Sequence, residues 1–271
     1  MIFKSSRIVS LTIFTALILI PSMIVVLGSF KTDSEVYNKP LSLPDAWSFD
    51  NYKRLFSDSD LEVSFINSVI VTLFSVIFTL LFASLASFAI ARMITVSGKV
   101  LATLFALGLA IPAQINLVPI YYIFRDLGLT NSFFGLVIIN VTTTLPISIF
   151  ILTAFFREIS RDMYEASEVD GASPFRIYRS IALPLSRPAM GATAIFLFVI
   201  NWNDLLWPLL LIQESEKKTL PLAMLAYRGE YFVSFSMLFT AVMVASLPMV
   251  IMYLMMQRSF IAGLTAGAVK G

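Results

Sequence analysis

Residues 157–188 read REISRDMYEASEVDGASPFRIYRSIALPLSRP, a polar stretch with five arginines between two long apolar runs, 133–156 and 189–212. Asp162 to Asp170 has helical periodicity, with Met163, Ala166 and Asp170 on one stripe and Glu165 and Glu168 on another. Gly171 suits the left-handed residue that closes a helix, which costs glycine little. Ser173 followed by Pro174 is an N-cap and first-turn pair, opening a second short helix that runs until Pro184. The stretch therefore predicts a helix-turn-helix knob carried between two apolar segments. Its small residues Ala166 and Ser167 permit close approach, and its acids suit a partner's arginines. An amphipathic helix lying on lipid is the competing reading, and its acids fit an anionic leaflet poorly.

Working outward, 58% of the 271 residues are hydrophobic and 13% are charged, against roughly 45–50% and 25% in soluble domains. With a mean hydropathy of +0.86 and 24 Phe, the chain carries more apolar surface than its own interior can hide, so lipid is the expected solvent. Six apolar runs are long enough to cross a bilayer, which takes about 20 helical residues. They lie at approximately 8–30, 65–91, 100–124, 133–156, 189–212 and 236–256. The sequence thus predicts an all-α integral membrane protein with one transmembrane domain over 1–271, a loop at 31–64, the knob at 157–188 and a tail at 257–271. Pro21, Pro112, Pro119, Pro146, Pro208 and Pro248 fall within spans and are expected to kink them.

With the N-terminus inside, eleven Lys and Arg residues fall on the inner side and eight on the outer. That favours cytoplasmic N- and C-termini, an inner knob and an outer 31–64 loop. This loop is polar, has room for a short helix around Asn51 to Phe56, and is either a contact for a partner outside the membrane or a solvated connector.

A net charge of +2 offers no basic stripe for nucleic acid. No Cys and no His are present, which removes thiolate chemistry, the usual metal ligands and the commonest general base. A membrane-embedded hydrolase lacks a nucleophile and base for the same reason. The one Gly-Lys pair, Gly98-Lys99, is followed by Val100, so there is no phosphate-cradling G-x-x-x-x-G-K-[ST] loop.

Asp204 is the one acid well inside an expected span, flanked by Asn201 and Asn203 and followed by Pro208. On a continuous helix the three form one polar arc, and an acid facing lipid costs about 2.5–3.5 kcal/mol. The arc therefore faces a wet solute pathway, or it hydrogen-bonds across helices or to another subunit. Gln114, Asn116 and Asn140 are further candidates for the same cavity, and being neutral they suit a hydroxyl-rich solute better than an ion.

Glu165-Ala166-Ser167, three residues, Gly171, nine residues, Ile181, one residue, Leu183-Pro184 resembles the EAA loop of ABC importer permeases, EAA-x3-G-x9-I-x-LP. Ser167 in place of the second alanine is the one departure. The likeness extends over nearly the whole chain and points to the sugar permease branch that is similar to the maltose-type second subunit. It is carried by Ile111-Pro112, Leu127-Gly128-Leu129-Thr130-Asn131-Ser132, Ala154-Phe155-Phe156, Trp202-Asn203-Asp204 and the glycine-rich ending from Ala262 to Gly271.

The resemblance implies a type I importer permease fold in a bacterial or archaeal cell membrane. It implies as partners a second permease subunit, two ATPase subunits that bind ATP and Mg, an extracytoplasmic solute-binding protein and surrounding lipid. The chain itself would bind no cofactor. The cargo would be an oligosaccharide or related polyol. Glu165, Ala166, Ser167, Asp170, Gly171, Ile181, Leu183 and Pro184 would form the ATPase-coupling site, and the tail would reach toward the ATPase dimer. The rival is a self-sufficient secondary transporter or channel using Asp204, for which inverted repeats with a pair of broken helices are expected and not evident.

Overall fold

The computed structural model describes residues 2–57, 59–93, 95–227 and 234–268, and within these the regular elements are helices. Two compact units are formed, one by residues 1–65 with 220–248, the other by residues 66–219 with 249–271.

In the first unit, α1 (Ile2–Gly28) is a long apolar helix that continues through Pro21. After it come α2 (Asp33–Asn38) and α3 (Asp50–Ser57), the latter over the short helix expected near Asn51. The segment joining them is held by specific contacts, although most of its residues are exposed. Lys31, 1% exposed, donates from Nζ to the carbonyls of Lys39 (2.7 Å) and Pro40 (3.3 Å) and to Ser42 Oγ (3.4 Å), which compensates a buried cation that water no longer solvates. Thr32 and Glu35 make a reciprocal capping box on α2, and Phe30 packs against Trp47, Phe49 and Tyr52 at 5.3–5.4 Å. Asp33 accepts from Ser236 N and Ser234 Oγ, both at 2.9 Å.

Helix α4 (Ser59–Arg92) carries a buried stripe of small polar residues through its length, including Thr72, Ser75, Thr79, Ser84 and Ser87. The third expected span is not one helix. It consists of α5 (Val96–Ala110) and, after a short 3-10 turn, α6 (Leu117–Asp126), bent by 84°. The cause is local: Ile111 precedes Pro112 and is forced into extended backbone (φ −91°, ψ 111°). The fourth span is α7 (Phe133–Phe156), uninterrupted at Pro146. It pairs with α4 through Asn140 Nδ2 to Ser75 Oγ (3.3 Å), Thr79 Oγ1 with Thr144 Oγ1 (3.2 Å) and Ser87 Oγ to the Ile149 carbonyl (3.1 Å). Such bonds between membrane helices contribute roughly 0.6 kcal/mol each.

The knob follows, formed by α8 (Arg161–Val169), α9 (Pro174–Ile177), a π-helical turn over Tyr178–Ala182, and α10 (Leu183–Leu185). A 76° bend separates this arm from α11 (Arg187–Trp202). The fifth expected span is also broken: α11 ends at Trp202, and α12 (Leu206–Leu211) begins after Asn203, Asp204 and Leu205. Pro208 lies in the first turn of α12, where its missing N–H has no helical acceptor to lose. Short α13 (Leu220–Ala223) precedes α14 (Phe235–Ala268), which runs uninterrupted through Pro248 and on through most of the segment read as a tail. Of the glycine-rich ending, Val269, Lys270 and Gly271 lie outside the described residues.

Among the described residues four helices are individually long and apolar enough to cross a membrane, and the total rises to six if each bent pair is one span. The expected kinks at Pro21, Pro146 and Pro248 are not helix breaks. The expected bend at Pro112 is present, and a further interruption falls at Asn203–Leu205, ahead of Pro208.

Candidate functional site: the helix-turn-helix knob

Helix α8 opens with Ser160, whose Oγ accepts from Met163 N (3.4 Å), and closes in the left-handed turn that Gly171 was expected to make, at φ +76°. Gly171 N donates to the Glu168 carbonyl and Ala172 N to the Ser167 carbonyl, both at 3.0 Å. This pair of bonds satisfies carbonyls that the helix end leaves free. Ser173 Oγ accepts from Arg176 N (3.3 Å) and Pro174 occupies the first turn, as read from the sequence. Pro184, however, does not end the second arm. The chain widens into a π turn, in which Leu183 N bonds the Tyr178 carbonyl five residues back, and helix continues to Leu185.

The expected coupling residues divide into two sets. Glu165, Ala166, Asp170 and Gly171 are exposed, as are Val169 (88%) and Phe175 (64%), two apolar side chains beside the turn. Ile181 and Leu183 pack against the core, and Pro184 is half-buried between them and the bend. Ser167 turns its hydroxyl back onto its own helix, to the Met163 carbonyl at 2.7 Å, so the departure from alanine leaves no unpaired donor.

Residues that the sequence reading did not single out hold the knob down. Tyr164, Ile177, Tyr178 and Ala182 are buried in one cluster with Phe88 and Ile90 of α4 and Ile149, Leu152 and Phe156 of α7. Phe88 is the hub, with ring centroids 5.4 Å from Tyr178 and 6.1 Å from both Tyr164 and Phe156. Burial pushes the Tyr164 hydroxyl above its ordinary pKa, and nearby Arg92 opposes the shift. The available signal was the four-residue spacing of Ser84, Phe88 and Arg92, which places them on one face of α4.

The expected pathway residues Asn140, Asn201, Asn203 and Asp204 each make separate bonds. Asn201 is buried and bonded to the Leu197 carbonyl of its own helix (2.8 Å). Asn203 is exposed, at the C-cap of α11, and reaches the Val199 carbonyl (2.8 Å) and Met249 Sδ (3.5 Å). Asp204 caps α12, its Oδ1 accepting from Leu206 N (3.1 Å) and Trp207 N (3.5 Å), while its Oδ2 is buried without a hydrogen-bond partner. The continuous polar arc therefore does not form, because the helix stops between its members. Gln114 is exposed and Asn116 half-buried at the bend between α5 and α6, whereas Asn140 bridges α7 to α4.

The string Leu127 to Ser132 also resolves into local chemistry. Gly128 (φ +67°) closes α6, and Ser132 caps α7 by accepting from Gly135 N. Asn131 (φ +50°) accepts on Oδ1 from Gln213 N (2.6 Å) and Glu214 N (3.1 Å), pinning the segment after α12.

A multi-pass, all-helical membrane protein with a structured knob between two spans is the class that this fold and site define. The chain belongs to the family described as "Binding-protein-dependent transport system inner membrane component", which it matches over residues 83–262, and it is a permease subunit of such an importer. It is 35% identical to the multiple sugar-binding transport system permease protein MsmG of Streptococcus mutans (97% of this chain, 95% of that one). It is 33% identical to the melibiose/raffinose/stachyose import permease protein MelC of Bacillus subtilis (99% and 98%). It is 32% identical to the diacetylchitobiose uptake system permease protein NgcG of Streptomyces coelicolor (96% and 87%). Among solved structures, its fold matches a chain of a bacterial ABC transporter that imports alginate, with a TM-score of 0.83 over 96% of each chain at 23% identity.

Proposed function

We propose that this chain forms half of the pathway of an oligosaccharide importer, paired with a second permease subunit, and that its knob faces the cytoplasm and seats in a cleft of a separate ATPase. ATP binding draws two ATPase subunits together, each knob moves with its cleft, and the spans turn from inward-facing to outward-facing. A solute-binding protein docked on the far side then releases its sugar into the cavity. The observation that carries the reading is the division of the knob: Glu165 and Ala166 stand exposed on a helix whose other face is locked into the core by Tyr164. A partner meeting that face meets a preset surface, so little ordering entropy is lost on docking. The oligosaccharide assignment is supported by the substrates in the names of two of the relatives, diacetylchitobiose and melibiose/raffinose/stachyose, and the third is named for multiple sugars.

The test is purification in mild detergent with identification of the bound subunits, followed by uptake of labelled oligosaccharides into proteoliposomes. Recovery of an ATPase and ATP-dependent uptake are expected, and Glu165→Lys abolishes uptake or the ATPase's recovery. Uptake by the chain alone without ATP overturns the proposal. So does wild-type, ATP-coupled uptake by Glu165→Lys.

A further inference from the structure

Ser84, Phe88 and Arg92 stand one above the other on α4, at successive four-residue steps. Each holds the knob. Ser84 Oγ and Tyr178 OH share a hydrogen bond of 2.8 Å. Phe88 packs on the rings of Tyr164 and Tyr178. The Arg92 guanidinium lies 5.3 Å from the Phe88 centroid and 5.4 Å from that of Tyr164, and it forms an ion pair with Glu168, 76 residues away in sequence. The chain itself attaches the knob to α7 and α11, so everything that ties it to α4 is noncovalent.

These contacts fix more than position. Glu165 and Glu168 are three residues apart on α8, about 60° from each other around the axis. Glu168 is drawn to Arg92 while Glu165 stays exposed. Rolling α8 about its axis breaks the Arg92–Glu168 pair and lifts the Tyr164 ring from Phe88. The same roll turns Glu165 and Ala166 away from their outward setting. Arg92 is therefore placed to set the angle at which α8 presents its exposed face, and its stack between two rings leaves its side chain only 23% exposed.

We propose that the Ser84–Phe88–Arg92 stripe is the joint through which movement of the knob reaches α4, with Arg92 as the positioning residue that fixes the docking angle of α8. The inference rests on the knob being the ATPase-docking element. It adds that α4 and the knob move as one body.

The assembled importer in proteoliposomes tests this through ATP hydrolysed per solute imported. In Arg92→Ala the subunits still co-purify, and the ratio rises by about fivefold or more, the population change expected for losing one directional contact. Arg92→Lys, which keeps the charge for Glu168, falls between Arg92→Ala and wild type. The absence of cysteine from the chain permits a second arm. The double variant Ser84→Cys, Tyr178→Cys is bridged by a short bifunctional thiol reagent, with a monofunctional reagent as control. If the joint moves as one body, uptake persists after bridging. An unchanged ratio in Arg92→Ala, or uptake lost on bridging but not with the control, overturns the joint. Should Arg92→Ala fail to assemble, the bridging result decides. A wild-type complex that shows no ATP-dependent uptake refutes instead the docking role beneath it.

Discussion

Replacing Gly171 isolates the backbone's contribution to the knob, because a Cβ built there meets no atom within 4 Å. No neighbour has to move, so the cost comes from φ +76° alone. A non-glycine L residue in the left-handed region costs about 1–2 kcal/mol, asparagine less because its short polar side chain bonds locally. A β-branched residue fares worst. Two hydrogen bonds depend on the turn, from Gly171 N and Ala172 N. A penalty of about 1–2 kcal/mol lowers the ratio of closed to open turns by roughly 5–30-fold. Hydrogen exchange at residues 171 and 172 reads this directly, and retention of the ATPase on the purified chain reads its consequence. Both should rank Gly171→Asn nearest wild type, then Gly171→Ala, then Gly171→Val. Equal protection of these amides in all variants refutes the backbone argument. Loss of the ATPase in Gly171→Ala with protection unchanged also refutes it, since the partner would then be sensing the added methyl rather than the turn.

Three further perturbations follow from single contacts. Tyr164 OH is buried without a hydrogen-bond partner, and an orphan of this kind costs about 1–3 kcal/mol; Tyr164→Phe keeps the ring on Phe88 and should raise the thermal midpoint, whereas a lower midpoint shows that the hydroxyl has a partner. Asn131→Ala removes the acceptor for Gln213 N and Glu214 N and leaves alanine at φ +50°, for an expected loss of about 2 kcal/mol. Asn131→Gly, which relieves the backbone only, should recover part of that loss, and full recovery shows that the acceptor is dispensable. Glu35 is held below the usual carboxylate range by hydrogen bonds from Thr32 N–H and then Asp45 N–H. Its contribution is therefore complete above the unfolded-state pKa and is lost as pH falls through the depressed folded value. Limited proteolysis of the 31–57 segment should quicken over that acid range in wild type, with no such step in Glu35→Gln.

The sequence disclosed the parts of the fold that depend on composition and on strong local signals. Apolar runs of span length correspond to α1, α4, α7 and α14, and the Gly171 turn and Ser173–Pro174 start have the expected geometry. Where the reading failed, a tertiary contact or a competing local bond decided the outcome. Asn203–Asp204 looks polar on a helical wheel, but Asp204 bonds the next turn's N–H groups and ends the helix instead. Asp four residues before Pro208 was a readable start signal, outweighed by the length of the apolar run. Pro184 was expected to stop the arm, yet the π turn accommodates it while Ala182 is fully buried. The anchors Phe88 and Arg92 offered only their four-residue spacing as a signal: their partners lie some 76 residues away, and nothing local distinguishes a gripping aromatic from a lipid-facing one.

The motif at 165–184 combines two physical demands that one alignment pattern cannot separate. Glu165 and Ala166 are exposed, and under the proposed docking role substitution there is expected to act on the partner rather than on the chain's own core. Ile181 and Leu183 pack against the buried cluster, and substitution there is felt by the chain's own stability. Gly171 belongs to neither set, since its role is conformational. Tyr164, which the motif omits, links the two because its ring is buried while its neighbour Glu165 is exposed. A permease that couples a moving partner to its spans needs a docking face that does not yield on its own mounting. Under the proposed joint that mounting is α4, which contacts the knob at three levels through Ser84, Phe88 and Arg92, residues about 80 positions upstream of the motif.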